Sequence, residues 1–287
     1  MRMQQNYAQQ GHSAAQYNLG LIYYNGNSNI SRNLEKAVEL FEKSALQGNS
    51  DAQYRIGIMY EEGEFLLESQ EKAFEWYKKS SDQGHAHAQY SIGVLYEQGI
   101  PNSPTFAGIQ SNYSIAFEYY EKSSMQNVPE AFYNLGLMYE LGKGTTASLE
   151  KALECFEKAA QQSDADAQCK LGLFCKDGNR IVKKDLTRAF EWFQKSALQG
   201  NDRAQCELAN FYLKGVGGIE KSEKVALEWY RKAANQGNFD AKTYLRSLTK
   251  SVRSVSTVFS FRKKKNDDDS DTRSTISSMS NGVVTDI

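Results

Sequence analysis

Ala52-Gln53-Tyr54-Arg55-Ile56-Gly57-Ile58-Met59-Tyr60-Glu61-Glu62-Gly63 is the stretch that decides the fold. Its form is Ala-x-x-x-Leu/Ile-Gly-x-x-Tyr-x-x-Gly, and the chain repeats it at Ala15–Gly26, Ala88–Gly99 and Ala131–Gly142. Worn copies stand at Ala167–Gly178 and Ala204–Gly215, and a stub at Ala241–Lys250. The leading alanines are 37, 36, 43, 36, 37 and 37 residues apart. A period of that size marks stacked supersecondary units, none able to bury its apolar face alone.

A second phrase lies between the copies of the first. Its anchors are Ala37, Ala73, Ala116, Ala152, Ala189 and Ala226. Large side chains follow at three and four residues: Leu40–Phe41, Trp76–Tyr77, Tyr119–Tyr120, Cys155–Phe156, Trp192–Phe193 and Trp229–Tyr230. Four residues further on stand Ala45, Ser81, Ser124, Ala160, Ala197 and Ala234. Spacings of three, four and eight put these residues on one helical stripe. The phrase closes at Gly48, Gly84, Asn127, Ser163, Gly200 and Gly237, where a helix end calls for a left-handed residue. Each unit therefore reads helix A, turn, helix B, turn.

Smaller signals agree. Pro129 falls in the first turn of a helix A, where its missing N–H costs nothing. Asp51, Glu130, Asp166 and Asp240 sit at helix A starts, the positive end of the dipole. Helix B carries Glu39/Lys43, Glu75/Lys79, Glu118/Lys122, Glu154/Lys158, Glu191/Lys195 and Glu228/Lys232, six expected i,i+4 pairs on a solvated outer face. Gly20, Gly57, Gly93, Gly136 and Gly172 recur inside helix A, where glycine costs about 1 kcal/mol against alanine. Their shared phase predicts a helix B crossing too close for a larger side chain; the sixth copy has Ala209.

On Ala15-Gln16-Tyr17-Asn18-Leu19-Gly20 and on Ala226-Leu227-Glu228-Trp229-Tyr230-Arg231-Lys232-Ala233-Ala234-Asn235-Gln236-Gly237, the chain resembles Sel1-like repeats, relatives of tetratricopeptide repeats with a slightly longer unit. The resemblance covers residues 1–250. It implies an all-α fold, a right-handed alpha-alpha superhelix, and an adaptor or scaffold role, without naming a partner. The resulting division is a partial repeat or capping helix at 1–11, then repeats at 12–48, 49–84, 85–127 (with a longer A–B loop), 128–163, 164–200 and 201–237. A half repeat at 238–250 follows, and then 251–287, whose Ser, Thr, Asp and Lys content predicts a disordered tail.

The net charge is −1, and 27 basic and 30 acidic residues precede Lys250. That balance argues against nucleic acid or an acidic membrane as the partner. No apolar run is long enough to span a bilayer, and the first residues lack the apolar core of a signal peptide, so the expected location is cytoplasmic. Arg262-Lys263-Lys264-Lys265 keeps a nuclear location open. Cys155, Cys169, Cys175 and Cys206 fill aromatic slots and read as free thiols. His85 and His87, at a helix entry, read as capping residues and not as metal ligands. No nucleophile elbow, zinc-binding pair or phosphate loop is present, so neither catalytic residues, nor a metal, a cofactor or a small-molecule substrate is expected.

Function is expected on the variable surface of helix A, which lines the concave wall in related superhelices. Three residues after the leading alanine, that surface reads Asn18, Arg55, Ser91, Asn134, Lys170 and Glu207. Six further on it reads Tyr24, Glu61, Glu97, Glu140, Lys176 and Leu213. A wall of this kind suits an extended peptide or a partner helix. Tyr17, Tyr54, Tyr90 and Tyr133 read as packing between repeats. The long loop from Gly99 to Ala116 reads as a surface excursion, and Ser254, Ser256, Ser260 and Ser270, beside charged neighbours, as phosphorylation sites.

The expected role is thus a non-enzymatic protein-binding scaffold. A second reading makes the chain the regulatory repeat region of a larger signalling protein, such as a kinase, whose other domain lies upstream. A third, by resemblance to secreted cysteine-rich relatives, is a hydrolase.

Overall fold

Each phrase of the sequence becomes one helix. The computed structural model describes residues 2–103 and 106–248, which form two compact units divided after Lys184. The first holds α1 (Arg2–Gln9), α2 (Ser13–Asn25), α3 (Leu34–Leu46), α4 (Ser50–Glu62), α5 (Gln70–Asp82), α6 (Ala86–Gln98), α7 (Tyr113–Ser124), α8 (Pro129–Leu141), α9 (Leu149–Gln161) and α10 (Ala165–Asp177). The second holds α11 (Leu186–Leu198), α12 (Asp202–Lys214), α13 (Glu223–Asn235) and a helix over 239–248. Even-numbered helices from α2 to α12 are A helices and odd ones from α3 to α13 are B helices. Isolated bridges in loops are the only β pairing among the described residues. The tail, with the expected phosphorylation sites Ser254, Ser256, Ser260 and Ser270, lies outside the described residues.

The ends of the helices are chemically fixed. Asn33, Ser69, Asn112, Ser148, Asp185 and Ser222 cap the B helices, each side chain accepting a first-turn N–H. The backbone N–H of five of these caps also donates to the carbonyl of the tyrosine eight residues after the leading alanine of the preceding A phrase, as Ser69 does to Tyr60 at 2.9 Å. Past helix B the expected left-handed closers all have positive φ, and Asn127 (63°) and Ser163 (67°) do there what glycine does elsewhere.

The interior glycine is explained by a ring. A Cβ built on Gly57 would stand 2.5 Å from Tyr77, and one on Gly20, Gly93 or Gly136 would stand 2.6–2.7 Å from Phe41, Tyr120 or Phe156. Those four rings, the second of the two large residues in each B phrase, are fully buried. Helix B therefore drives one aromatic side chain across helix A at the glycine, as the shared phase of the glycines predicts. In the last hairpin, where Ala209 replaces glycine, the Tyr230 ring stacks on Tyr244 at 4.2 Å between centroids.

The first of the two large residues stays half-buried, so the stripe is narrower than its sequence suggests. That residue decides what the outer lysine does. The expected ion pair forms at Lys43–Glu39 and at Lys158–Glu154 (2.7 Å), where the residue is Leu40 or Cys155. With an aromatic there, the lysine lies over the ring instead: Lys79 over Trp76, Lys122 over Tyr119, Lys195 over Trp192 and Lys232 over Trp229, 4.1–4.9 Å from the centroids. Six uniform ion pairs were the expectation. Cation–π contact competes on even terms with an exposed ion pair, each contributing about 0.5–1 kcal/mol at most, and the nearer ring takes the ammonium.

Two features escape the sequence reading. Gln16, Gln53, Gln89, Gln168 and Gln205, one residue after the leading alanine, are buried. Gln53 donates to the carbonyl of Ala45 in the preceding helix B (3.0 Å) and accepts from Gln83 at the end of the following one (2.7 Å). Gln16 and Gln205 make the same pair of bonds within their units. One amide thus clasps three helices. In the fourth repeat Phe132 takes this place, Gln162 turns back to Lys158, and a cavity of about 520 Å³ opens between Phe132, Met125 and Gln162.

The second feature is the long loop, which is not the surface excursion expected. Asn112 N–H still reaches the Tyr96 carbonyl at 2.7 Å, and the extra residues fold back through bridges Ile100↔Ile109 and Ser103↔Phe106. Ile100 is buried, and Phe106 and Ile109 pack on the core formed with α5 and α6, Phe106 beside Phe74. Burial of these apolar groups outweighs the entropy of closing the longer loop.

Candidate partner-docking face

The A helices expose one common side. In α4 the buried residues are Ala52, Gln53, Ile56, Gly57 and Met59, so at 100° per residue position 58 points roughly opposite the buried stripe of its own helix. The equivalent residues of the first unit are Leu21, Ile58, Val94, Leu137 and Leu173, all aliphatic and half-buried, and Leu21, Ile58 and Val94 pack against the cores around them. Sequence reading passed over this row because it fits the apolar periodicity of any helix.

The two sequence-derived columns flank that row, and most of their members already serve the fold. Arg55 acts on the Tyr17 hydroxyl, Ser91 on that of Tyr54 and Asn134 on that of Tyr90, each favouring the ionised phenol against the effect of burial, so each of these tyrosines is felt by the next helix A. Their packing between repeats is as expected. Tyr24 donates to Glu64 and carries the Arg55 guanidinium 5.3 Å over its ring, where the Arg55 Nε is buried without a hydrogen-bond partner. Asn18 is exposed.

In the second column, Tyr77 donates to Glu61 and Tyr120 donates to Glu97 at 2.8 Å. Burial, and after it these carboxylates, hold both phenols above their ordinary range, so they remain donors at any physiological pH. Tyr90 is pushed up to about 12, by burial first and then by Glu130. Glu140 pairs with Lys170 at 2.8 Å, and Lys176 approaches Asp177 at 4.0 Å. Glu207 and Leu213 belong to the second unit, half-buried on α12.

The thiols and imidazoles take structural roles. Cys169, Cys175 and Cys206 are buried, and burial raises the half-buried Cys155 to about 11, leaving it a neutral thiol at neutral pH. No group of three metal-binding side chains occurs among the described residues. His85 is the expected cap: its Nδ1 accepts from Ala88 N–H at 3.1 Å, and its Nε2 faces Asp51 at 3.3 Å. His87 is not a cap; it is exposed and stacks beside Tyr54, because one helix entry has room for one capping side chain.

Burial, opposed by the weaker pull of Asp51, lowers the His85 pKa. The folded state therefore takes this proton less readily than the unfolded chain. The contribution of His85 to stability is complete above pH ~6.5 and is lost as pH falls through that value. We expect the urea midpoint to drop between pH 7.5 and 5.5, and His85→Asn, which copies the Asn49 and Asn201 caps, to flatten that part of the curve.

Stacked helical hairpins joined through a buried repeat signature, with one variable helix face left over, define an α-helical repeat protein. The Sel1 repeat model matches residues 13–49, 50–85, 86–128, 129–164, 165–201 and 202–238, and the chain belongs to that family, whose members generally mediate protein–protein interactions. The chain is similar to the crystal structure of a Sel1 repeat protein from Oxalobacter formigenes, with 29% identity and a TM-score of 0.69 over 78% of this chain and 86% of that one. It is also similar to c5321, a protective antigen present in uropathogenic Escherichia coli strains displaying an SLR fold, at 29% identity and TM-score 0.50, covering 86% of this chain and 59% of that one. No curated protein sequence matches the chain significantly. No described helix is long and apolar enough to cross a membrane.

Proposed function

We propose that the chain is a non-catalytic adaptor of the cytoplasm whose first unit docks a segment of another protein across the exposed side of α2, α4, α6, α8 and α10. The observation that carries this reading is that the side chains three residues after the leading alanine, Asn18, Arg55, Ser91, Asn134 and Lys170, change from repeat to repeat while the packing residues around them stay fixed. A polar surface that varies on a constant scaffold is what a docked peptide or helix reads for specificity.

The test is positional crosslinking. A photoreactive benzoylphenylalanine replaces Gln98, exposed on helix A, or Glu75, exposed on helix B, in the full chain expressed in cells. A discrete protein adduct from position 98 and none from position 75 is expected. Adducts from position 75 alone would move the docking surface to the B helices and sink the reading.

A further inference from the structure

The glutamine clasps show, within this one chain, what their site takes. Gln16, Gln53, Gln168 and Gln205 donate to the carbonyls of Ala8, Ala45, Ala160 and Ala197 at 3.0–3.3 Å. The amide oxygens of Gln16, Gln53, Gln89 and Gln205 accept from Gln47, Gln83, Gln126 and Gln236 at 2.7–2.9 Å. Each copy thus seats one side-chain carboxamide between a carbonyl and a second amide.

The fourth repeat keeps the site and lacks its occupant. Ser124 stands where Ala45 does, and Gln162 where Gln83 does. The Ala45 carbonyl accepts from both Gly48 N–H and Gln53. That of Ser124 accepts Asn127 N–H at 2.9 Å and no side-chain donor among the described residues. With no glutamine to meet, the Gln162 amide lies 3.5 Å from the Lys158 carbonyl, at the outer limit of a hydrogen bond. Phe132 is half-buried and leaves about 520 Å³ open between Ser124, Met125 and Gln162. The one charged side chain lining this space, Lys158, is neutralised by Glu154 at 2.7 Å. An opening without net charge favours a neutral polar group over an ion.

We propose that this opening binds a glutamine side chain of a partner segment, which supplies in trans the carboxamide that Phe132 withholds. The incoming NH2 group donates to the Ser124 carbonyl, and the incoming oxygen accepts from Gln162. Apolar neighbours of that glutamine lie on the Phe132 ring and on the exposed Met125 thioether. A site built on two hydrogen-bonding groups discriminates against side chains that leave them unpaired. It is formed by the ends of α7 and α9 and the start of α8, and uses none of the variable column residues of helix A. It therefore stands or falls independently of the docking face.

Methyl NMR of the full chain, with carbon-13 on the methionine methyl groups, tests this. Met125 lines the opening, whereas Met59 and Met138 are buried and serve as references. The probe is Ser-Leu-Gln-Leu-Ser, acetylated and closed as an N-methylamide so that glutamine carries its only primary amide. Two control peptides have methionine or glutamate in place of glutamine. The Met125 signal should move with the glutamine peptide, which binds at least about fivefold tighter than either control. Gln162→Leu, at an exposed position, should weaken that binding about fivefold. Phe132→Gln fills the site from within and should weaken it at least about tenfold. Thermal melts report whether the variants fold, and Gln162→Leu decides should Phe132→Gln unfold.

A stationary Met125 signal, equal binding of the methionine peptide, or undiminished binding by a folded variant overturns the proposal. Tighter binding of the glutamate peptide makes Lys158 the attraction and overturns it too. Free L-glutamine binding as tightly as the peptide would make the ligand a small molecule and remove the partner segment.

Discussion

Tyr77→Ala is expected to lower unfolding free energy by about 3–5 kcal/mol, the range for emptying a fully buried aromatic site. The loss is large because the ring fills the space that Gly57 leaves in the neighbouring helix, its nearest carbons 2.5 Å from where a Cβ would stand. Tyr77→Phe keeps the ring and gives up only the bond to Glu61, so it should cost about 1 kcal/mol. Gly57→Val approaches the same contact from the other side and should destabilise by about 2–3 kcal/mol despite the better helix propensity of valine. Ala209→Gly should destabilise too, by about 1 kcal/mol, since that hairpin already houses a Cβ. Urea titrations of the four variants check the order. Stabilisation by Gly57→Val would refute the ring-over-glycine account.

Gln53→Ala is the second large effect, expected at about 2–3 kcal/mol. It removes the bonds to Ala45 and Gln83 and leaves a small buried void. Gln83→Ala should cost less, because that side chain is partly exposed and also bonds its own helix at Lys79. The double variant should fall short of the sum of the singles by about 1 kcal/mol, the coupling of neighbours that share a bond. Strict additivity in denaturant titrations would show that the two amides act independently.

Much of this architecture is legible in the residues. The alanine period, the glycine of helix A and the left-handed closers specify hairpin, crossing and turn, because each rests on a steric requirement local to its phrase. What stays hidden depends on partners about a repeat away. Glutamine at the second place of five A phrases is plain to see, but an amide is ordinarily a surface residue, and only burial at 4–8% exposure reveals the clasp. The choice of Lys79 between Glu75 and Trp76 becomes readable once the aromatic three residues back is weighed against the carboxylate four back.

The docking face was half visible. Its columns follow from helical phase, yet Glu61 and Glu97 turn out to accept from the buried tyrosines Tyr77 and Tyr120 of the following helix B, which no spacing discloses. The aliphatic row between the columns drew no reading from the sequence, and Leu21, Ile58 and Val94 pack against the cores around them. The long loop was misjudged because Ile100, Phe106 and Ile109, scattered among Pro, Asn, Ser and Gly, show no periodicity for a helix or a strand.

The amide clasps bear on how the first unit answers to force. Gln16 and Gln53 each tie their own hairpin to the helix before it, so under tension within this unit those helices let go together and not one at a time. Between the third and fourth hairpins Phe132 supplies no latch. That seam has one bond fewer to break than the seam at Gln53.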